Sequence, residues 1–294
     1  MVYLLRLLLK TSGSIILLYR NFLFEHGCTR IFWILTNKII RKKYISAFIC
    51  VNLRPIEFMI IWMASIAGFA LFALNEIANP RGALLGKVLW KGDRRGIALT
   101  FDDGPHPVYT PRVLEILDRF QAQATFFVIG RHLKEWGPLA AEASQRGHVI
   151  GNHSYNHLRL MNFLSGPKLR QEILACQQET EKWVGYRPRF YRQPAGFRNP
   201  HIFRILKELG MSMVGWQVRA FDTQRQDPLA ISRRILKKAG PGGVVLLHDG
   251  SDSALNQDRS ATLAALPEIL RVLRDRGLEF LTLEGLFGMS KDIK

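Results

Sequence analysis

The chain has 294 residues, 48% of them hydrophobic, with 41 Lys and Arg against 24 Asp and Glu, a formal net charge of +17. That apolar content supports a sizeable core and excludes a disordered chain. The positive charge suits an acidic polymer or an anionic membrane face, but no basic-aromatic strand motif, zinc-finger spacing or basic recognition helix accompanies it, so nucleic acid is not expected as a partner.

Residues 1–57 are basic and apolar, the apolar run being broken by Arg6, Lys10, Arg20, Arg30 and Lys38. They suit an amphipathic or membrane-lying region, or sequence upstream of a start at Met59 or Met63. Residues 58–75, FMIIWMASIAGFALFALN, carry no charge. At 1.5 Å rise they span about 27 Å, near the thickness of a bilayer core, and predict a transmembrane helix. Arg41, Lys42, Lys43 and Arg54 precede the run and only Glu76 and Arg81 follow closely. That asymmetry places the N-terminus in the cytoplasm and the following domain on the extracytoplasmic side of the cytoplasmic membrane. A cleaved signal peptide or a buried core helix are the competing readings; no clean Ala-x-Ala site follows, which favours an uncleaved single-pass anchor.

Residues 76–95 read as a linker, residues 96–288 as one domain and 289–294 as a tail. Within the domain, strand patterns at 97–101, 124–129, 148–151, 189–193, 212–217, 243–247 and 279–282 alternate with helical ones. The helices are expected at 111–121, 138–146, 166–184, 200–209, 228–238 and 261–276. Seven strands with crossover helices predict a parallel α/β sheet, open or closed. Of the three cysteines, Cys28, Cys50 and Cys176, none forms a CxxC pair, so no disulfide framework is expected, and Cys176 reads as a plain helix residue.

In parallel α/β folds function sits at the C-terminal strand ends, and the unusual polar residues collect there. Asp102 and Asp103 follow the first strand, in IALTFDDGPHP. His153 and His157 follow the third, in GNHSYNH. Arg192 ends the fourth, Asp222 lies beyond the fifth, and His248 and Asp249 end the sixth. Two adjacent Asp alone suit an acidic turn. The spacing of His153 and His157 puts both imidazoles on one face if the stretch coils into a helical turn. Two His and a carboxylate make a ligand set for a divalent metal with positions left open. One Asp then binds metal while the other stays free as a base, the cation allowing both to remain ionised. The same set occurs in non-haem iron oxygenases, but the extra Asp, the Arg and a further His fit hydrolysis better. His248 reads as a general acid, or as a capped loop histidine; Asp222 or Asp249 would hold its ring. His26, His106, His132, His148 and His201 read as structural.

Taken together, TFDDGP at 100–105, HSYNH at 153–157, RQPAG at 192–196 and LLHDG at 246–250 resemble the ordered motifs of the polysaccharide deacetylases of the NodB-homology type, carbohydrate esterase family four. The likeness covers roughly residues 95–288. It implies a distorted (β/α) barrel of about seven parallel strands. It implies a metal-dependent hydrolase removing N-acetyl groups from a GlcNAc-type polysaccharide, with zinc, cobalt or another divalent ion. Asp102 would be the base, oriented by Arg192, and Asp103, His153 and His157 the metal ligands. The Ala195 N–H would help hold the oxyanion, His248 would be the acid with Asp222 as its partner, and Leu246 would line the acetyl pocket with Trp216 among the substrate residues. Two departures stand out: Ala195 replaces an aromatic in the third motif, and Thr223 rather than Trp follows Asp222 in the fourth. They put the substrate in question more than the chemistry. A deacylase or deformylase acting on a lipid-linked sugar or small amide is the second reading, and an inactive glycan-binding module the third.

Overall fold

The computed structural model describes residues 55–78, 86–196, 199, 201–224, 227–252 and 257–289. The chain divides into two compact units, Met1–Ile61 and Trp62–Lys294. The expectations for residues 1–54, among them Cys28, Cys50 and His26, lie outside the described residues.

The first described element is helix α1 (Pro55–Ala78), 24 residues long. It covers the uncharged run expected to cross the membrane, and residues 59–71 present exposed side chains. Even so, among the described residues no helix is long and apolar enough to cross a membrane. The transmembrane anchor expected from the sequence thus finds no support among the described residues.

Among the described residues nine strands follow: β1 (Val88–Leu89), β2 (Gly96–Gly104), β3 (Ala124–Val128), β4 (Val149–Asn152), β5 (Phe190–Tyr191), β6 (Ser212–Val214), β7 (Val218–Arg219), β8 (Val244–His248) and β9 (Glu279–Phe280). All pair parallel, in the order β1-β6-β5-β4-β3-β2-β8-β7, with β9 beside the start of β2. The ladder stops at β1 on one edge and β7 on the other. Residues 215–217 cross between those edges, and the Val244 N–H reaches the Trp90 carbonyl at 3.3 Å. The sheet is thus a curled, incomplete barrel rather than a closed one. Each of the seven expected strands is present. The two added ones have two residues each, too short for an alternation of side chains to register in sequence. One of them, β1, lies inside the stretch read as a linker and pairs with β6 through Val88 and Leu89.

Strand β2 is buried at all nine positions because β3 and β8 flank it and helices cover it, so its apolar residues run on without alternation. Helices α2 (Tyr109–Arg119), α3 (Leu133–Gln145), α4 (Gly166–Val184), α5 (Ile202–Glu208), α6 (Pro228–Lys238), α7 (Ser260–Asp275) and α8 (Leu283–Phe287) return the chain between strands or close it. α2 and α7 bury Val113, Leu114, Leu117, Leu266, Ile269 and Leu273 against Ile97, Leu99 and Phe101, each worth roughly 1.5–3 kcal/mol when fully buried. Asp227 caps α6 by accepting from the Leu229 N–H at 2.9 Å, with Pro228 at the first helical position. α3 begins five residues before the expected start. Trp136 leaves helical geometry (φ −122°, ψ 25°) two residues ahead of Pro138, and the sequence pattern registers only beyond that kink. Cys176 is a buried residue of α4, as read.

Candidate active site

Side chains on a strand alternate faces, so two adjacent acids cannot both face one site without a change in the backbone. That change is at Asp103. The β2–β3 register shifts between Asp102 and Gly104, and Asp103 takes a left-handed φ of +72°. This bulge re-aims the second carboxylate. Asp103 Oδ1 lies 3.4 Å from His153 Nε2 and 3.3 Å from His157 Nε2, while Asp102 Oδ2 stands 3.7 Å from His153 Nε2. Gly250 makes room for the bulge, since a Cβ there would meet the Asp103 carbonyl at 2.1 Å.

The expected helical turn over His153 to His157 does not form. Residues 153–158 are irregular, with Ser154 at φ +69° and His157 at φ +53°. Asn152 Oδ1 accepts from the Ser154 N–H at 2.9 Å and Ser154 Oγ accepts from the His157 N–H at 3.1 Å. These local side-chain bonds compete with helix and bring the two imidazole centroids to 4.8 Å by another route.

His153 Nδ1–H donates to the Arg192 carbonyl at 2.8 Å, which fixes its tautomer and turns the Nε2 lone pair toward Asp103. Asp103 Oδ1 is buried with no hydrogen-bond partner. Three ligand atoms of Asp103, His153 and His157 lie within 4.8 Å of one another. Burial alone would raise the Asp103 carboxyl; the His153 contact and then the electrostatic influence of His248, His157 and His153 outweigh it and hold it well below the usual range. Burial and the neighbouring His153 push His157 down to about 4, so its imidazole is neutral, as a ligand must be. A buried carboxylate facing two ring nitrogens, with an oxygen left unbonded, fits a divalent cation.

Asp102 is held on its other side. Arg192, almost fully buried, donates from Nη1 to Asp102 Oδ1 and to Thr100 Oγ1, each at 2.7 Å, and from Nη2 to the Gly215 carbonyl at 3.0 Å. Its guanidinium carbon lies 4.2 Å from the Phe127 ring centroid. Truncating one member of such a buried pair would cost about 3–5 kcal/mol.

Of Asp222 and Asp249, the structure selects Asp222 as the partner of His248. His248 Nδ1 and Asp222 Oδ1 are 2.8 Å apart, and Asp222 Oδ2 accepts from the His248 N–H at 2.8 Å and from Thr262 Oγ1 at 3.0 Å. Burial works against charge on His248, but the Asp222 carboxylate, then Asp103 and Asp102, lift it to about 9. Asp249 instead accepts from Thr110 Oγ1 at 2.5 Å; burial above all pushes its carboxyl up to about 7. One cleft of about 380 Å³ is lined by Asp102, Asp103, His153, His157, Leu246 and His248, together with Ala195 and Trp216.

A family model described as polysaccharide deacetylase matches residues 91–214. A peptidoglycan-N-acetylglucosamine deacetylase of Bacillus cereus is 39% identical over 211 residues, 68% of this chain and 93% of the relative. The chain belongs to the polysaccharide deacetylase family. Its relatives named as peptidoglycan and chitooligosaccharide deacetylases act on carbon–nitrogen bonds other than peptide bonds, and this chain is a hydrolase of that kind. A chitooligosaccharide deacetylase of Azorhizobium caulinodans is 36% identical over 192 residues, 63% of this chain and 91% of that one. In structure, the Bc1960 peptidoglycan N-acetylglucosamine deacetylase superposes with a TM-score of 0.64 at 29% identity, covering 69% of this chain and 93% of that one.

All ten site residues singled out in this deacetylase's sequence fall at this one rim, and two supporting residues were not foreseen. His132 Nδ1 lies 3.2 Å from the Asp103 carbonyl, so a histidine read as structural braces the bulge. Asp252 Oδ2 lies 3.4 Å from His157 Nδ1 and is held by Arg159 Nε at 2.9 Å, while Arg131 donates to the Asp252 carbonyl. Asp252 lies three residues beyond Asp249 in LLHDGSD, and that proximity was its one available signal. Ala195, where an aromatic was expected, sits in a tight turn at φ +57°. Trp216 packs against that turn: a Cβ on Gly196 would meet its ring at 2.6 Å. The cleft therefore keeps an aromatic wall, supplied from the β6–β7 link.

Proposed function

We propose that this polysaccharide deacetylase removes N-acetyl groups from a GlcNAc-type polysaccharide, releasing acetate and leaving a free amino sugar, with a divalent cation held by Asp103, His153 and His157. The observation that carries the reading is the convergence of that cluster, the Asp102–Arg192 pair and the Asp222–His248 pair on one cleft. When bound, the cation, zinc or a similar divalent ion, supplies Lewis acidity that polarises the amide carbonyl and lowers the pKa of water.

The chain's own residues supply the rest. Asp102 has one oxygen bonded to Arg192 and the other turned toward His153. It takes the proton from the water whose oxygen bonds to the amide carbon. The Ala195 N–H, presented by its left-handed turn, is assigned to the developing oxyanion. His248, with Nδ1 held by Asp222, gives a proton from Nε2 to the nitrogen as the carbon–nitrogen bond breaks. Leu246, buried beside His248 on the same face of β8, suits the acetyl methyl, and Trp216 suits a sugar face.

Peptidoglycan is the favoured polymer, supported by the 39% identity to the Bacillus cereus relative; chitin-like oligomers come next. The extracytoplasmic side, where such polymers lie, is the location this reading requires. The reading is tested by incubating the full chain, with zinc added, with peptidoglycan glycan strands and with chitooligosaccharides, then following acetate and loss of acetyl groups by mass spectrometry. Release from either polymer supports it. Release only from lipid-linked sugars or small amides would shift the assignment to the second reading, and no release at saturating metal would refute it.

A further inference from the structure

Each charged side chain lining the cleft is paired with an opposite charge or, in the case of Asp103, faces the imidazoles of its own cluster, except one. Asp102 is bonded to Arg192, His248 to Asp222 and Arg159 to Asp252, and Asp103 faces His153 and His157. Arg219 is the exception. Among the described residues no carboxylate pairs with its guanidinium, and its Nε is buried without a hydrogen-bond partner. Its guanidinium carbon packs 4.2 Å from the Phe221 ring centroid, and that of Arg234 packs 4.1 Å from the same ring. Arg234 Nε also donates to the Arg219 carbonyl at 2.9 Å. Two cations thus share one aromatic ring, and Phe221 itself is at a left-handed φ of +59°.

The sheet fixes where Arg219 points. It stands in register with Leu246 across the parallel β7–β8 ladder, so its side chain leaves on the same face as Leu246. Leu246 and His248 are two apart on β8 and both line the cleft. A half-buried guanidinium with no carboxylate in ion-pair contact is costly to keep, and its planar fork matches an oxyacid.

We propose that Arg219 binds a carboxylate carried by the glycan beside the amide to be cut, so that an acidic N-acetylated glycan is preferred over a neutral one. This rests on the deacetylase reading above. A carboxylate is favoured over a phosphate because Asp222 and Asp102 already act on Arg219, and a doubly charged group would meet more repulsion from them.

The test is calorimetric binding to the full chain. The ligands are an oligomer of alternating N-acetylglucosamine and N-acetylmuramic acid and the same oligomer with its carboxylates reduced to alcohols. The intact chain should bind the acidic oligomer about tenfold or more tightly than the reduced one. Arg219→Met, which keeps the stem against Phe221, should level the two, and Arg219→Lys should retain part of the preference. Equal binding of both oligomers by the intact chain, or a preference kept in Arg219→Met, overturns the proposal. Tighter binding of N-acetylglucosamine phosphate than of the acidic oligomer overturns the choice of carboxylate. Binding is read without turnover, so it stands apart from acetate release by the intact chain, whose absence would strike the deacetylase reading instead.

Discussion

Asp102 and Asp103 are neighbours on one strand, yet each directs a carboxylate oxygen at His153 Nε2, at 3.7 and 3.4 Å. The bulge between them separates their tasks: Asp103 joins the imidazole cluster and Asp102 is tied to Arg192. Asp102→Asn should therefore lower kcat by about 10²–10⁴-fold while metal content, measured by elemental analysis, stays at the level of the unaltered protein. A fall in bound metal that parallels the fall in kcat would show that Asp102 serves the cluster rather than the proton transfer.

The second relationship is between Asp222 and His248. Because His248 is lifted to about 9, it stays protonated and able to donate below that pH, and kcat should decline as pH rises through about 9. Replacing Asp222 with Asn removes the chief raising influence. The alkaline limb should then move toward the ordinary histidine value near 6.5, with kcat reduced. A pH profile with an unmoved limb in that variant would dissociate His248 from the step.

Asp252 touches His157 on the side away from Asp103. Carboxylates placed behind ligating histidines orient the ring and raise its basicity. Asp252→Ala is expected to weaken divalent-metal affinity by about 10–100-fold, read by competition with a chelating dye. Unchanged affinity would leave Asp252 as a partner of Arg159 alone.

Away from the cleft, His148 accepts from the Ala124 N–H at 3.2 Å, and burial, opposed by Asp118 and reinforced by Arg146, pushes it down to about 4. The folded value lies below the unfolded one near 6.5. Its contribution is thus complete above pH 6.5 and is lost as pH falls through about 4. Denaturant titrations should show up to about 3 kcal/mol lost across that window, and His148→Gln should flatten the slope. An equal slope in that variant would assign the acid sensitivity to other groups.

Much of this was legible beforehand, because long apolar runs and residues at strand ends leave marks in one dimension. β2, α4 and α6 appear over or close to the residues expected, and the polar residues at the strand ends meet at one rim. The remainder depends on geometry that sequence does not encode locally. Two-residue strands such as β7 show no alternation, so Asp222 seemed to follow a longer fifth strand. The HSYNH stretch carries helical spacing, but Asn152 and Ser154 draw its backbone into turns. His132 and Asp252 are recognised only through partners distant in the chain, at Asp103 and His157. The uncharged run at 58–75 is helical, as expected, yet among the described residues no helix is long and apolar enough to cross a membrane.

The central claim is that Asp103, His153 and His157 hold one divalent cation on which amide hydrolysis depends. The most direct measurement is acetate release from an N-acetylglucosamine polymer by chelator-stripped protein as zinc is titrated back. Activity should be absent at first, rise with added metal and saturate near one equivalent per chain, with no recovery in His153→Ala. Undiminished acetate release after complete metal removal would contradict the claim.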